Sequence, residues 1–134
     1  MKRFILFSVL ILFFASCSTD DQPYYYREFM PVESVDIPEE FIMGEIYPIT
    51  VRYYRPTTCY WFETFYYRKD NNIRVVAPIN VVGNENCEPL DNVLTEDSFN
   101  FLVTSNGSYV FKFWQGEDSN GDDIYLTIEV PVVE

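Results

Sequence analysis

Beyond Pro31 the apolar residues of this chain recur at every second position, and a period of two admits β-strands and little else. Phe99, Phe101 and Val103 alternate with Asn100, Leu102 and Thr104, and Tyr109, Phe111 and Phe113 alternate with Val110, Lys112 and Trp114. Ile124, Leu126, Ile128 and Val130 repeat the pattern, as do Tyr47, Ile49, Val51 and Tyr53. Ile73, Val75, Ala77, Ile79 and Val81 form a further row. Each row turns one oily face of a strand toward a core, as half-buried antiparallel strands require. The stretch from Tyr60 to Tyr67 is aromatic on both faces, which predicts a central strand covered on each side.

Turn residues separate the rows. Asp70-Asn71-Asn72, Asn106-Gly107 and Asn120-Gly121 sit between them and tolerate the positive φ of tight hairpins. The spacing predicts seven strands, over 32–37, 45–55, 59–68, 73–82, 98–104, 109–115 and 123–132, and no segment of ten residues has helical spacing. Seven short strands in about 100 residues fit an all-β, antiparallel two-sheet sandwich, with a small barrel as the alternative. The order of strands, with Trp61 on the third and Tyr109 opening the sixth, resembles immunoglobulin-like domains over residues 32–134.

Composition narrows the functional classes. The 134 residues carry 9 Lys and Arg against 21 Asp and Glu, so a nucleic-acid partner is not expected. Aromatic residues make up 19% of the chain, too many for a disordered one. There is no His, which removes the Ser-His and Cys-His catalytic pairs and the imidazole metal ligand. Glu63 and Asp97 belong to a crowd of carboxylates, and Ser98, Ser105 and Ser108 fall at turns or strand ends, so neither set marks a catalytic centre. No enzyme activity and no cofactor are implied.

The N-terminus reads as an address. Lys2 and Arg3 precede an apolar run from Phe4 to Ala15, too short for the roughly 20 residues that span a bilayer but suited to a secretory signal. Phe14-Ala15-Ser16-Cys17 resembles the bacterial lipobox, although Phe14 stands where Leu is usual. The resemblance implies a signal peptide over 1–16, acylation of Cys17 and anchoring in a membrane through lipid. Ser18-Thr19-Asp20-Asp21 resembles the acidic signal of surface-exposed lipoproteins of Bacteroidota, which implies display on the outer membrane, with a periplasm-facing anchor as the alternative. Cleavage before Cys17 leaves 7 basic against 21 acidic side chains, and residues 17–31, with Pro23 and Pro31, read as a tether.

Three further sets of residues stand out. Cys59 and Cys87 remain as an even pair in an exported chain, and the expectation is a disulfide from a strand end to a loop. Asp118, Asn120 and Asp122 lie in an oxygen-rich loop, Glu117 to Asp123, that offers weak calcium ligation or simply an acidic hairpin tip. If Phe111 and Phe113 point inward, Trp114 points outward and Tyr125 faces the same way, with Tyr54 a further exposed ring. One alternating row of the third strand, either Tyr60, Phe62 and Tyr66 or Trp61, Phe65 and Tyr67, is available to join them. Flat rings of this kind stack on sugars or anchor a protein interface, and equally pack a core. The expected role is therefore non-catalytic: binding or scaffolding of a protein or glycan, with a carbohydrate-binding module or a purely structural envelope subunit as alternatives.

Overall fold

Nine strands follow one another without a helix in the computed structural model, which describes residues 24–134. Cys17, the signal segment 1–16 and the first part of the tether lie outside the described residues. The strands are β1 (Tyr26–Phe29), β2 (Val32–Asp36), β3 (Phe41–Ile42), β4 (Ile46–Tyr54), β5 (Tyr60–Asp70), β6 (Ile73–Val82), β7 (Leu94–Leu102), β8 (Ser108–Glu117) and β9 (Asp123–Val133). They form two sheets. One has the order β2-β4-β7; the other runs β6-β8-β9-β3, with β5 along one side of β6 and β1 beside its far end. The fold is an all-β sandwich, with nine strands in place of seven because β1 and β3 are too short to show a period.

The alternating rows meet between the sheets. Ile49 and Val51 of β4, Phe101 of β7, Phe111 and Phe113 of β8 and Val130 of β9 pack there with Phe41, all but Phe101 without exposure. Phe101 meets two of these rings edge-on, lying 4.8 Å from Tyr109 at 86° and 5.1 Å from Phe111 at 80°, while Phe111 and Phe113 stack. Such pairs add about 0.5–1.5 kcal/mol each beyond area burial. Tyr109 opens β8, and its hydroxyl accepts hydrogen bonds from the amides of Thr104 and Ser105 at 3.1 and 2.9 Å. The hydroxyl makes a corner that ties the start of β8 to the turn before it.

Two departures from the expected pattern shape the outer surface. β5 is not central: among the described residues it pairs with β6 alone and forms an edge of its sheet, with Trp61, Phe62, Tyr66 and Tyr67 exposed. Its rings on both faces cover the rim of the sandwich, Phe65 and Tyr67 reaching Phe99 of the opposite sheet at 5.1 and 6.1 Å. β6 is the doubly covered strand. Its expected apolar row does not face the core; Val76 does, on the same face as Arg74, Pro78 and Asn80, while Val75 and Ala77 are buried on the outer side.

Arg74, 3% exposed, survives inside because Asn71 and Ile73 carbonyls accept from Nη1 at 2.6 and 3.0 Å and its guanidinium lies 5.1 Å from the Tyr109 ring. The pairing of β6 with β8 is parallel, as is that of β3 with β9, whereas the other pairings are antiparallel. β6 and β8 can run side by side in the same direction because β7 crosses to the other sheet between them.

Cys59 and Cys87 form a disulfide, Cα atoms 5.3 Å apart, that ties the residue before β5 to the loop after β6. Tyr109→Phe keeps the ring but leaves two amides without their acceptor, so it should cost about 1–3 kcal/mol. Urea unfolding measures it, and an unchanged midpoint would show that the corner bears no load.

Candidate functional site

The outer faces of the two sheets differ in kind. On the β2-β4-β7 sheet the middle of the outer side is polar, where Arg52 binds Asp36 and, at 2.7 Å, Glu96, and Thr50 meets Ser98 at 2.8 Å. Ile46 with Leu102 and Tyr54 with Leu94 form exposed apolar pairs at its two ends. On the β6 sheet the outer side is aromatic. There a groove of about 450 Å³ has Val75 and Ala77 as its floor and Phe29, Tyr66, Trp114 and Tyr125 as its walls.

Strand pairing explains why these rings converge. β6 pairs with β8 only through Ile73–Val76, and farther along, Ile79–Val82 pair with β1 instead. The change of neighbour falls at Ala77 and Pro78. Pro78 has no N–H to donate, and its carbonyl accepts from Met30 at 2.9 Å, closing β1 onto β6. β1 and β8 thus lie end to end beside β6, and Phe29 at the end of one comes within 6.1 Å of Trp114 near the end of the other. Phe29 also meets Tyr66 edge-on at 5.5 Å.

β8 leaves the line at a bulge between Trp114 and Glu117. Gly116 there takes φ of +99°, which a side chain would resist, and Gln115 Nε2 donates to the Val32 carbonyl at 3.1 Å. The bulge sets Glu117 opposite Asp123 at the groove's rim, where Arg68 supplies the opposing charge. Asp123 orients the aromatic wall as well. Its Oδ1 accepts from Trp114 Nε1 at 2.9 Å, and the Tyr125 hydroxyl donates to Oδ2 at 3.4 Å.

Burial, and then the Asp123 carboxylate, raise the Tyr125 phenol above its ordinary value, so that hydroxyl remains a donor at neutral pH. Lys112 Nζ sits 5.7 Å from the Tyr125 ring. The rim therefore offers acceptors at Glu117 and Asp123 and donors at Arg68, around flat apolar surface.

The residues singled out from the sequence divide. Trp114 and Tyr125 are direct cross-strand partners and share the groove. Tyr66 joins them from one of the two rows of β5. Tyr54 does not; it ends β4 in the other sheet, paired with Leu94 and 43% exposed. Asp118 closes its own turn, its Oδ1 accepting from the amides of Asn120 and Asp122 at 2.8 and 3.0 Å. Among the described residues no three His, Cys, Asp or Glu side chains gather to hold a metal ion.

Glu63 pairs with Arg27 at 2.6 Å, and Asp97 accepts from the Tyr53 hydroxyl at 2.6 Å. Burial raises the Asp97 carboxyl, and that hydrogen bond opposes the rise. Phe29 and Arg68 are additions that the sequence reading misses. Phe29 falls in the expected tether, but residues 26–29 are strand β1, whose two faces, Tyr26 with Glu28 and Arg27 with Phe29, each mix a ring with a charge and so show no period.

Comparison with known proteins finds no family model, no curated protein and no solved structure that matches the chain. The groove is thus read from its own chemistry. Phe29 braces Trp114, so in a Trp61→Phe background Phe29→Ala should move the Trp114 fluorescence to longer wavelength. Unchanged emission would show that Phe29 does not shelter that ring.

Proposed function

We propose that this chain is a non-catalytic, lipid-anchored binding module of the bacterial cell envelope whose outer-face groove holds a neutral glycan. The observation that carries the reading is four aromatic rings converging over Val75 and Ala77 with charged donors and acceptors at their rim. Sugar rings present flat C–H faces to aromatic walls and hydroxyls to whatever borders them. A hydroxyl both donates and accepts, so a rim with Arg68 on one side and Glu117 and Asp123 on the other satisfies it from both directions. A uronic or sulfated glycan would meet a chain of net charge −12. The edge of β5, unpaired among the described residues, favours a second reading, a protein partner that adds a strand there.

The lipobox resemblance at Cys17 supports the envelope location, with the outer surface preferred on the strength of Ser18-Thr19-Asp20-Asp21. No helix among the described residues is long and apolar enough to cross a membrane. Two or three acyl chains on Cys17 would give stable anchoring at about 0.8 kcal/mol per buried CH₂.

Two experiments test the two halves. On an array of neutral and acidic glycans the wild-type domain should bind a neutral one, and Tyr125→Ala or Trp114→Ala should weaken that binding about tenfold or more. Tyr125→Ala should leave the melting temperature within a few degrees; full binding by both variants would remove the groove from the account. Separately, Cys17→Ala should move the expressed chain from the detergent-dependent to the soluble fraction, and continued membrane retention would contradict the anchor.

A further inference from the structure

The aromatic surface does not end at the groove. Trp61 lies opposite Val81 on β6 and Tyr66 lies opposite Ala77, so both rings stand on the outer face. The bulge between Phe62 and Thr64 makes this possible, since five positions apart in an unbroken strand would put them on opposite faces. Trp61 does not stand up from the sheet. It rests on the bare backbone of Gly83, where an added Cβ would come within 3.1 Å of Trp61 Cζ3 and 3.2 Å of Tyr25 Cε1. Tyr25 flanks it with ring centroids 6.5 Å apart, and Trp61 remains 49% exposed. A Trp seated beside a glycine and still half exposed serves as a platform.

Between this platform and the groove lies the ion pair of Arg27 with Glu63, joined at 2.6 Å across β1, β6 and β5. Such an exposed pair contributes little to stability and can exchange its bond for a ligand's hydroxyls. Along the face, Arg27, Arg68 and Lys112 stand among Glu63, Glu117 and Asp123, and Asp70 opposite Ile73 and Glu129 opposite Val110 add two more carboxylates at its far end. The face is therefore net negative on a chain of net charge −12, which turns away an anionic ligand and leaves an uncharged, hydroxyl-rich one. Val81 and Ala77 are four positions apart on β6, so the two aromatic stations are separated by roughly 13 Å. That exceeds a disaccharide and fits a short linear oligosaccharide.

We propose that Trp61 and Tyr25 form a second subsite and that the outer face takes a linear neutral polysaccharide along its length, not a terminal sugar. This rests on the glycan reading of the groove. The ligand would lie with one ring on Trp61, hydroxyls on Arg27 and Glu63, and further rings between Tyr66, Trp114 and Tyr125.

The test is an array of linear neutral oligosaccharides of β-glucan, xylan, mannan and galactan, from two to eight units, with calorimetry on the strongest series. Wild-type affinity should rise about tenfold or more from the disaccharide to the longer members. Trp61→Ala should remove that gain and leave disaccharide binding unchanged. Gly83→Val, which lifts the rings from their seat, should do the same. Equal affinity for short and long members, or a length gain that survives in Trp61→Ala, would overturn the second subsite and leave the groove standing. Binding to none of these glycans would overturn both. The wild-type length series needs no substitution, so a variant that misfolds does not blunt the test.

Discussion

Burial of β6 on both faces is the constraint on which the rest of the molecule depends. Its inner face closes the core with Val76 and carries Arg74 and Asn80 into it; its outer face needs cover of its own over Val75 and Ala77. The middle of the β2-β4-β7 sheet, whose outer side carries Arg52, Thr50 and Ser98, asks for no such cover. On β6, rings from β1, β5, β8 and β9 provide it, and their arrangement over a strand leaves a groove and not a sealed layer. Apolar area covered in this way contributes roughly 25 cal/mol per Å². The same rings therefore stabilise the sandwich and shape the ligand surface.

Two backbone irregularities convert that cover into a site. Pro78 interrupts what β6 can offer a neighbour, and β1 takes over from β8 at that point. The bulge at Gly116 turns β8 aside and sets Glu117 against Asp123. Without the first, Phe29 would have no place beside Trp114. Without the second, the groove would have rings but a poorer hydrogen-bonding rim.

Much of the sandwich is legible from letters alone, because β4, β7, β8 and β9 each have one wet face and one oily one. That is why Ile49, Phe101, Phe111 and Val130 are where their spacing puts them. Period two fails for a strand that is covered twice: Ile73–Val82 reads as one long apolar run, so nothing in it says whether Val75 or Val76 looks inward. It fails again at β5, where rings on both sides suggest a central strand and in fact line an open edge. The bulge there also mixes the two rows, so that Trp61 of one and Tyr66 of the other share a face. Trp114 and Tyr125 are legible as a pair because they sit opposite one another on adjacent strands with a short turn between. Phe29 is not, since what joins it to Trp114 is a contact between distant segments, and no local spacing encodes that β1 docks beside β6.

The central claim is that β1 is a built part of the sheet and that its docking creates the groove. Amide hydrogen exchange measured residue by residue tests this directly. Docking of β1 predicts that the amides of Glu28 and Met30, which point at β6, are protected to the same order as those of Asn80 and Val82, which point back at β1. Exchange of Glu28 and Met30 at the rate of an unstructured terminus, with β6 still protected where it pairs with β5, would contradict it.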